Sequence, residues 1–453
     1  MLEQFKRFVV EESLINPKED SILLATSGGV DSVVLAHLFA AANYRFAIAH
    51  CNFQLRGEES DGDAQFVKQL AAEFDVPYYS TTFSTLAESR ATGVSIQMVA
   101  RTLRYDWLNL LCESDNFAYL ATAHHINDSI ETSLFNLTKG CGIRGLHGIL
   151  PKRKQLIRPL LFAHKAMILD YAKEKGIKYR EDSSNVSVKY TRNKIRHQVI
   201  PPLQEINPNL ETTFQGNFQR FREVEYLYEQ AIAQLKSNIC HQNGEKIEIN
   251  RELLRQCVTP YSLLYELLNP LGFNQDQIND LIKQPNVEGG GIFSSKTHRL
   301  LRTDLNLVVE PIPKGEKKRK NFKIESMRGT WTDSDCDISL SFELIEHTPE
   351  TQEQIDEGRD SPWVALFNLQ EIKQPLYLRR WKEGDTFQPL GMGGKHKKVN
   401  KLFKDKKVNR FDREKIWILT DADDRIMWVV GMRVDERFSK WGQYLYKIKV
   451  NKL

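Results

Sequence analysis

Residues Ser21 to Leu38 read SILLATSGGVDSVVLAHL: an apolar run, a short Ser/Gly turn, then a second apolar run. The first run is short and ends at turn residues, as a strand covered on both faces does. The second is long enough for a helix. Between them, Gly28 and Gly29 let the backbone turn tightly and approach a ligand with no Cβ in the way. A strand, a glycine turn and a helix start together present free N–H groups and a positive dipole end, which suits a phosphate. Ser27 and Ser32 add hydroxyls. Asp31 would repel phosphate unless a cation lay between them, so a phosphate-bound Mg²⁺ is its natural partner. A plain Ser/Gly turn with an Asp near the helix start is the competing interpretation; the full SGGVDS spacing favours a pyrophosphate cradle. The chain has no GxxxxGK[ST], so a P-loop kinase or GTPase is not supported.

The same rhythm extends outward over the first two hundred or so residues. YRFAIAHCNF, VPYYSTTF and FAYLATAH read as further strands, and AQFVKQLAAEF and IQMVARTLRYDWLNLL as helices between them. Alternation of this kind predicts a Rossmann-like parallel sheet covered on both faces, with ligands beyond the carboxyl ends of the strands. From about Asn209 to Ile282 the pattern is helical. The basic run KGEKKRKNFK (Lys314 to Lys323) reads as a linker or exposed hairpin. From about Ile324 the pattern is mixed, with ISLSFELIE and RIMWVVGMRV strand-like. The expected organisation is a catalytic α/β domain over 1–207, a helical middle domain with a basic linker over 208–323, and a mixed α/β domain over 324–453.

A chain of 453 residues exceeds one ordinary core, which agrees with that division. The net charge of +4 is small, so a nucleic-acid partner must meet local basic patches. No apolar run has spanning length, and MLEQFKRFVVEESL reads as an amphipathic helix with no signal-peptide core; a cytoplasmic location is expected. The six cysteines lie far apart with no CxxC, which predicts reduced, mostly buried thiols rather than disulfides, zinc or an iron–sulfur site.

Several polar residues follow predicted strand ends. His50, Asn52, Leu55 and Arg56 follow the second strand. Arg101 and Arg104 share a helix face, as bidentate recognition of phosphate or a base edge would use them. In AHHINDSIET, Asp128 and Glu131 are three apart near a helix start. Such a carboxylate pair can hold Mg²⁺ or position an amine and accept its proton, although acids at a helix start also complement the dipole. His124 and His125 lack a third ligand at zinc spacing and read as polar groups facing a nucleotide. Lys152, Arg153, Lys154, Arg192 and Arg196 suit RNA phosphates.

SGGVDS resembles the PP-loop of the ATP pyrophosphatase superfamily, whose members split ATP to AMP and pyrophosphate through a substrate adenylate. The order AHCNFQLRGEESDGD, AxxLRY, AHHINDSIET, GCGIRGLHGI, RPLL and EDSSNVSVKYTRNKIRHQVIPPL resembles the tRNA(Ile)-lysidine synthase family, with YTRNKIR (Tyr190 to Arg196) the most discriminating piece. Leu378 to Asp421 resembles the C-terminal domain of the same family. Its lysines 395, 397, 398, 401, 404, 406 and 407, with Arg379, Arg380 and Arg410, are expected to form a basic surface interleaved with Trp381, Phe387 and Phe403.

The resemblance implies ligation of free lysine to carbon 2 of the wobble cytidine in the CAU anticodon of isoleucine tRNA, with ATP as co-substrate and Mg²⁺. It places ATP on Ser27, Gly28, Gly29, Val30, Asp31, Ser32, His50, Asn52 and His124. It gives catalytic roles to Asp31, Arg104 and Glu131, and the metal to Asp31 and Asp128. Substrates fall to Arg101, Arg104, Asp128, Glu131, Arg192, Arg196, Lys397 and Lys398. The family shows two aspartates where this chain has Asn127 and Asp128, which leaves Asn127 without a charge to offer a metal. A tRNA thiolase would need a cysteine set this chain lacks. A glutamine-dependent synthetase would need an amidotransferase half, and a non-catalytic tRNA binder would not need the intact loop and Glu131. Monomer and homodimer both remain open.

Overall fold

The computed structural model describes residues 1–180, 191–283, 290–313, 320–352, 361–440 and 442–452, in two compact units, Met1–Gln230 and Ala231–Leu453. Residues 181–190, including Tyr190 of YTRNKIR, and residues 314–319 of the basic run lie outside the described residues.

In the first unit the strands are β1 (Ser21–Ala25), β2 (Arg45–Asn52), β3 (Tyr78–Thr82), β4 (Tyr119–Ala121), β5 (Lys152–Arg153) and β6 (Leu156–Ile157). They form one sheet in the order β3-β2-β1-β4-β6-β5, parallel throughout except for the β5–β6 hairpin at its edge. The helices are α1 (Leu2–Glu11), α2 (Val30–Ala41), α3 (Glu58–Glu73), α4 (Thr85–Thr92), α5 (Ile96–Ser114), α6 (Ile126–Lys139), α7 (Ile143–Leu146) and α8 (Lys165–Glu174). They continue as α9 (Thr191–Lys194), a π-helical turn Ile195–Val199, α10 (Ile200–Ile206) and α11 (Leu210–Ile239).

β1 is central, and the alternation of its side chains shows why its three middle positions are all apolar. Ile22 and Leu24 point into one core with Val33, Val34 and Leu38 of α2, while Leu23 points into another with Leu108 and Cys112 of α5. All three strand residues are fully buried. β2 and β4 flank β1, so the connections after β1 diverge and leave a crevice beyond its carboxyl end.

The second unit adds a sheet to the helices expected for the middle of the chain. Helices do cover Leu210–Ile239, Pro260–Leu268 and Gln275–Lys283. Between and after them run five antiparallel strands: Cys240–Asn243, Lys246–Asn250, Ile292–Ser294, His298–Arg302 and Asn306–Pro311. Leu263, Leu264 and Ile278 pack on Ile249, Leu300 and Val309 to form that core. The period-two segment KIEIN is too short to stand out inside a helical window.

Farther along, two sheets pack face to face. One holds Phe322–Ile324, Leu376–Arg380, Trp417–Thr420, Ile426–Val429 and Arg433–Val434; the other holds Gly329–Trp331, Ile338–Glu346, Val364–Asn368 and Tyr444–Lys452. Their shared core includes Leu340, Phe367, Leu378, Leu419, Trp428 and Ile448.

The expected basic, aromatic surface is only half right. Phe387 and Phe403 are fully buried in a core with Val399, Ile418 and Val429, and Trp381 packs edge-on against Phe403. Arg379 is 4% exposed and makes a bidentate pair with Asp385 at 2.9 and 3.0 Å. Arg380 stacks on Trp417 and pairs with Asp337. These groups hold the domain together. The lysines do reach the surface: Lys395, Lys398, Lys401, Lys404, Lys406 and Lys407 are exposed, on and around a short helix, Val399–Asp405, that buries Val399, Leu402 and Phe403. The thiols are less buried than expected as well. Cys112 and Cys336 are buried, and Cys141, in the glycine-rich loop, is exposed.

Candidate active site

The loop after β1 has the shape its residues require. Gly28 has φ +96°, a left-handed conformation that favours glycine, and its carbonyl accepts the Arg180 backbone N–H at 3.0 Å. Gly29 caps α2. The Ser32 hydroxyl donates to the Gly29 carbonyl at 2.9 Å and accepts the Ser27 N–H at 3.2 Å. With Val30, Val33, Val34 and Leu35 buried, the start of α2 is locked to the sheet and its N–H groups face the crevice. Asp31 projects from the first turn and takes the Lys165 ammonium at 2.6 Å.

α6 brings the carboxylates. His125 caps it, and its backbone N–H donates to Asp128 Oδ2 at 2.9 Å. His125 Nε2 lies 3.6 Å from Asp128 and 3.9 Å from Asp31, so the loop and the α6 carboxylates face one space. One turn on, Glu131 is 4% exposed and held by Arg196 through Nε to Oε1 at 2.5 Å and a second N–H to Oε2 at 3.1 Å.

Burial raises the Glu131 carboxyl above the ordinary glutamate value, with Arg196 opposing. Burial also pushes Asp128 upward, but His125, His124 and the backbone N–H outweigh it and the net shift is downward. Burial lowers His124 to about 4, so its ring is neutral near pH 7. Neighbouring carboxyls are thus pushed apart, as acid–base chemistry uses them.

Asn127 finds a structural use. Its Oδ1 accepts the Lys165 backbone N–H at 3.0 Å and its Nδ2 donates to Glu211 at 3.1 Å. Both ends of the amide are engaged in joining α6, α8 and α11.

The remaining expected residues spread around this centre. His50 is buried with Nδ1 2.9 Å from the Thr26 carbonyl, directly behind the loop, and burial lowers its pKa. Asn52 donates to Asp61 at 2.8 Å. Arg104 stacks on Phe53 at the end of β2, and Arg101 stacks on Tyr105. Arg101, His124 and Arg192 share a cleft. Lys397 and Lys398 belong to the second unit, where Lys397 is paired with Asp405 at 2.6 Å.

Sequence reasoning passed over Lys165, Arg158 and Arg180. Lys165 in FAHKAM resembles any lysine at a helix start, and its partner lies 134 residues away. Arg180 pairs with buried Asp63 at 2.8 Å while its backbone holds Gly28.

Comparisons with known proteins account for most of the chain. Family models described as PP-loop domain, TilS substrate binding domain and TilS substrate C-terminal domain match residues 1–203, 242–312 and 376–448. A tRNA(Ile)-lysidine synthase from Bacteroides thetaiotaomicron is 35% identical over 432 residues, which is 95% of each chain. The chain belongs to the tRNA(Ile)-lysidine synthase family. Members from Parabacteroides distasonis, 35% identical over 95% of each chain, and Shouchella clausii, 32% identical over 95% of this chain and 94% of its own, share the same extent. The family is one of PP-loop ligases that use ATP, and the PP-loop domain model spans the parallel sheet with its Ser/Gly loop. No helix among the described residues is long and apolar enough to cross a membrane.

Proposed function

We propose that the chain joins free L-lysine to carbon 2 of the wobble cytidine in the CAU anticodon of isoleucine tRNA. ATP is consumed, AMP and pyrophosphate are released, and the resulting lysidine changes codon reading from AUG to AUA. The observation that carries this reading is the meeting of two groups at His125: Asp31 from the phosphate loop, and Asp128 from the helix that also bears Glu131. Membership of a lysidine synthase family supports the choice of substrate.

The steps follow the residues. The cytidine O2 attacks the α-phosphorus and pyrophosphate departs toward the Ser27–Ser32 loop, where the N–H groups of α2 and the two hydroxyls receive its charge. The ε-amine then attacks carbon 2, AMP leaves with the former O2, and the amine proton goes to a carboxylate. Glu131 suits that role because burial strengthens it as a proton acceptor. Arg196 fixes its two oxygens, and the arginines on α5 orient the cytidine.

Mg²⁺ would be held by Asp31 and Asp128. No group of three or more His, Cys, Asp or Glu able to hold a metal occurs among the described residues. Two carboxylates facing one space still fit, because Mg²⁺ commonly takes one or two carboxylates and completes its shell with phosphate oxygens and water. When bound it would neutralise the charge that develops on the departing pyrophosphate.

Segment 324–453, with its exposed lysines around 395–407, would grip the tRNA, assisted by 208–323; segment 1–207 would do the chemistry. Substrates of this kind place the reaction in the cytoplasm. The test is incubation with ATP, labelled lysine and CAU-anticodon tRNA. Lysine incorporation with one AMP released per product supports the reading. Sulfur incorporation, or RNA binding without any ATP-dependent product, overturns it.

A further inference from the structure

A cleft of about 440 Å³ opens in the first unit beside His124 and beyond the phosphate loop. Among the described residues that line it are five arginines, at 101, 144, 153, 158 and 192, and one carboxylate, Glu225. That carboxylate is already taken, by His147 Nε2 at 3.2 Å and Arg144 Nε at 3.5 Å.

Two of the lining groups are built into the wall. Arg158, from RPLL, is 8% exposed, and its guanidinium donates to the Leu150 carbonyl at 2.6 Å. Its Nε is buried with no hydrogen-bond partner, and none of the described carboxylates pairs with it. His147 is 9% exposed, and its Nδ1 is likewise buried and without a partner. A buried guanidinium with like-charged neighbours and an unused donor is costly unless an anion completes it. Burial lowers the Arg158 pKa, with Tyr105 opposing and Arg101 and Arg153 adding to the shift.

We propose that this cleft is a single-stranded RNA subsite in which Arg158 and His147 bind one phosphodiester next to the nucleotide being modified. This deepens, and rests on, the reading of the chain as an RNA-modifying ligase. A polyanion fits better than a lone carboxylate. The exposed Arg144, Arg153 and Arg192 ring the mouth while Arg158 and His147 sit within, so a strand has several phosphates to place. His124, neutral at pH 7, lies at the end nearer Asp128 and can face an uncharged base.

The test uses the full chain and a CAU anticodon stem-loop RNA, without ATP or lysine. A neutral methylphosphonate is placed at each loop phosphate in turn. Wild-type protein should lose about tenfold affinity at one position beside the cytidine, more than at the others. Arg158→Gln should bind the unmodified RNA about tenfold more weakly and lose nothing further at that position. Its salt slope should fall by about 0.7, the value for one single-strand phosphate contact. Arg158→Lys, which keeps the charge but not the fork, should recover part of the affinity.

A uniform methylphosphonate profile in wild type overturns the proposal even if Arg158→Gln does not fold. So does an Arg158→Gln enzyme with normal RNA affinity and a raised KM for lysine, which would assign the cleft to an amino-acid carboxylate. Because the binding arms need no reaction, intact coupling with no lysidine product counts against the proposed function and not against the subsite.

Discussion

The cations of the two units are arranged in opposite ways. In the first unit they are guanidiniums fixed by packing: Arg196 grips buried Glu131, and Arg158 is sealed into a cleft wall. In the second unit Arg379 and Arg380 of the basic stretch are structural, and most of the groups left for a partner are lysines on flexible stems around Val399–Asp405. Fixed forks choose geometry; screened ammonium groups supply affinity that any phosphate chain can use. On the proposed function, one unit would place a reacting group and the other would hold a long anion loosely.

The largest expected effect comes from the fixed set. Glu131→Gln should lower lysidine formation by about 10³-fold while pyrophosphate release persists, measured by separate AMP, pyrophosphate and lysine assays. An equal loss of pyrophosphate release would move Glu131 out of the transfer step. The same pair sets a pH response. With Glu131 as the proposed proton acceptor, the rate should fall as pH drops through its raised pKa. Arg196→Met removes the group that holds that pKa down, so the acidic limb of kcat/KM should move to higher pH. On stability the sign is reversed, because the folded chain keeps the Glu131 proton to higher pH than the unfolded chain; this group favours the fold at low pH and loses that contribution as pH rises.

Asp385→Ala should destabilise the second unit by about 3 kcal/mol in chemical denaturation, because it removes the bidentate partner of buried Arg379 and leaves it only Asp424. Unchanged stability would mean that Arg379 is not structural and is available to RNA. Lys165→Met should weaken ATP binding by about tenfold in calorimetry and leave RNA affinity alone, since its ammonium sits on the phosphate loop through Asp31. The smallest effect belongs to the exposed lysines. Lys401→Ala with Lys404→Ala should reduce RNA affinity a few-fold at low salt, equally for matched and mismatched anticodons, and reduce the salt slope by about 1.4. Anticodon discrimination by these two lysines would break the contrast between the units.

What could be read in the sequence was whatever is local. The loop was legible because Ile22 to Leu24, Gly28, Gly29 and Ser32 act within a dozen residues of one another. Asp128 and Glu131 were legible because a helix brings residues three apart to one face. The partners that tune them were not. Arg196 reaches Glu131 across 65 residues, and Lys165 reaches Asp31 across 134. Local spacing carries no trace of such pairs. The basic C-terminal stretch misled for a related reason: Arg379 and Lys398 are both cations in sequence, and only burial separates a core ion pair from a solvated charge. The middle sheet was missed because strands of three to six residues are shorter than the helical windows around them.

Asn127 ties two distant positions together through a single amide. Its amide donates to Glu211 and accepts from the Lys165 N–H, two tasks that an aspartate, with acceptors only, could not combine. The carboxylate at this contact is supplied by Glu211, 84 residues along the chain. Positions 127 and 211 therefore work as a couple: aspartate at 127 would set two carboxylates across the contact, and an apolar residue at 211 would leave the Asn127 amide N–H without that acceptor.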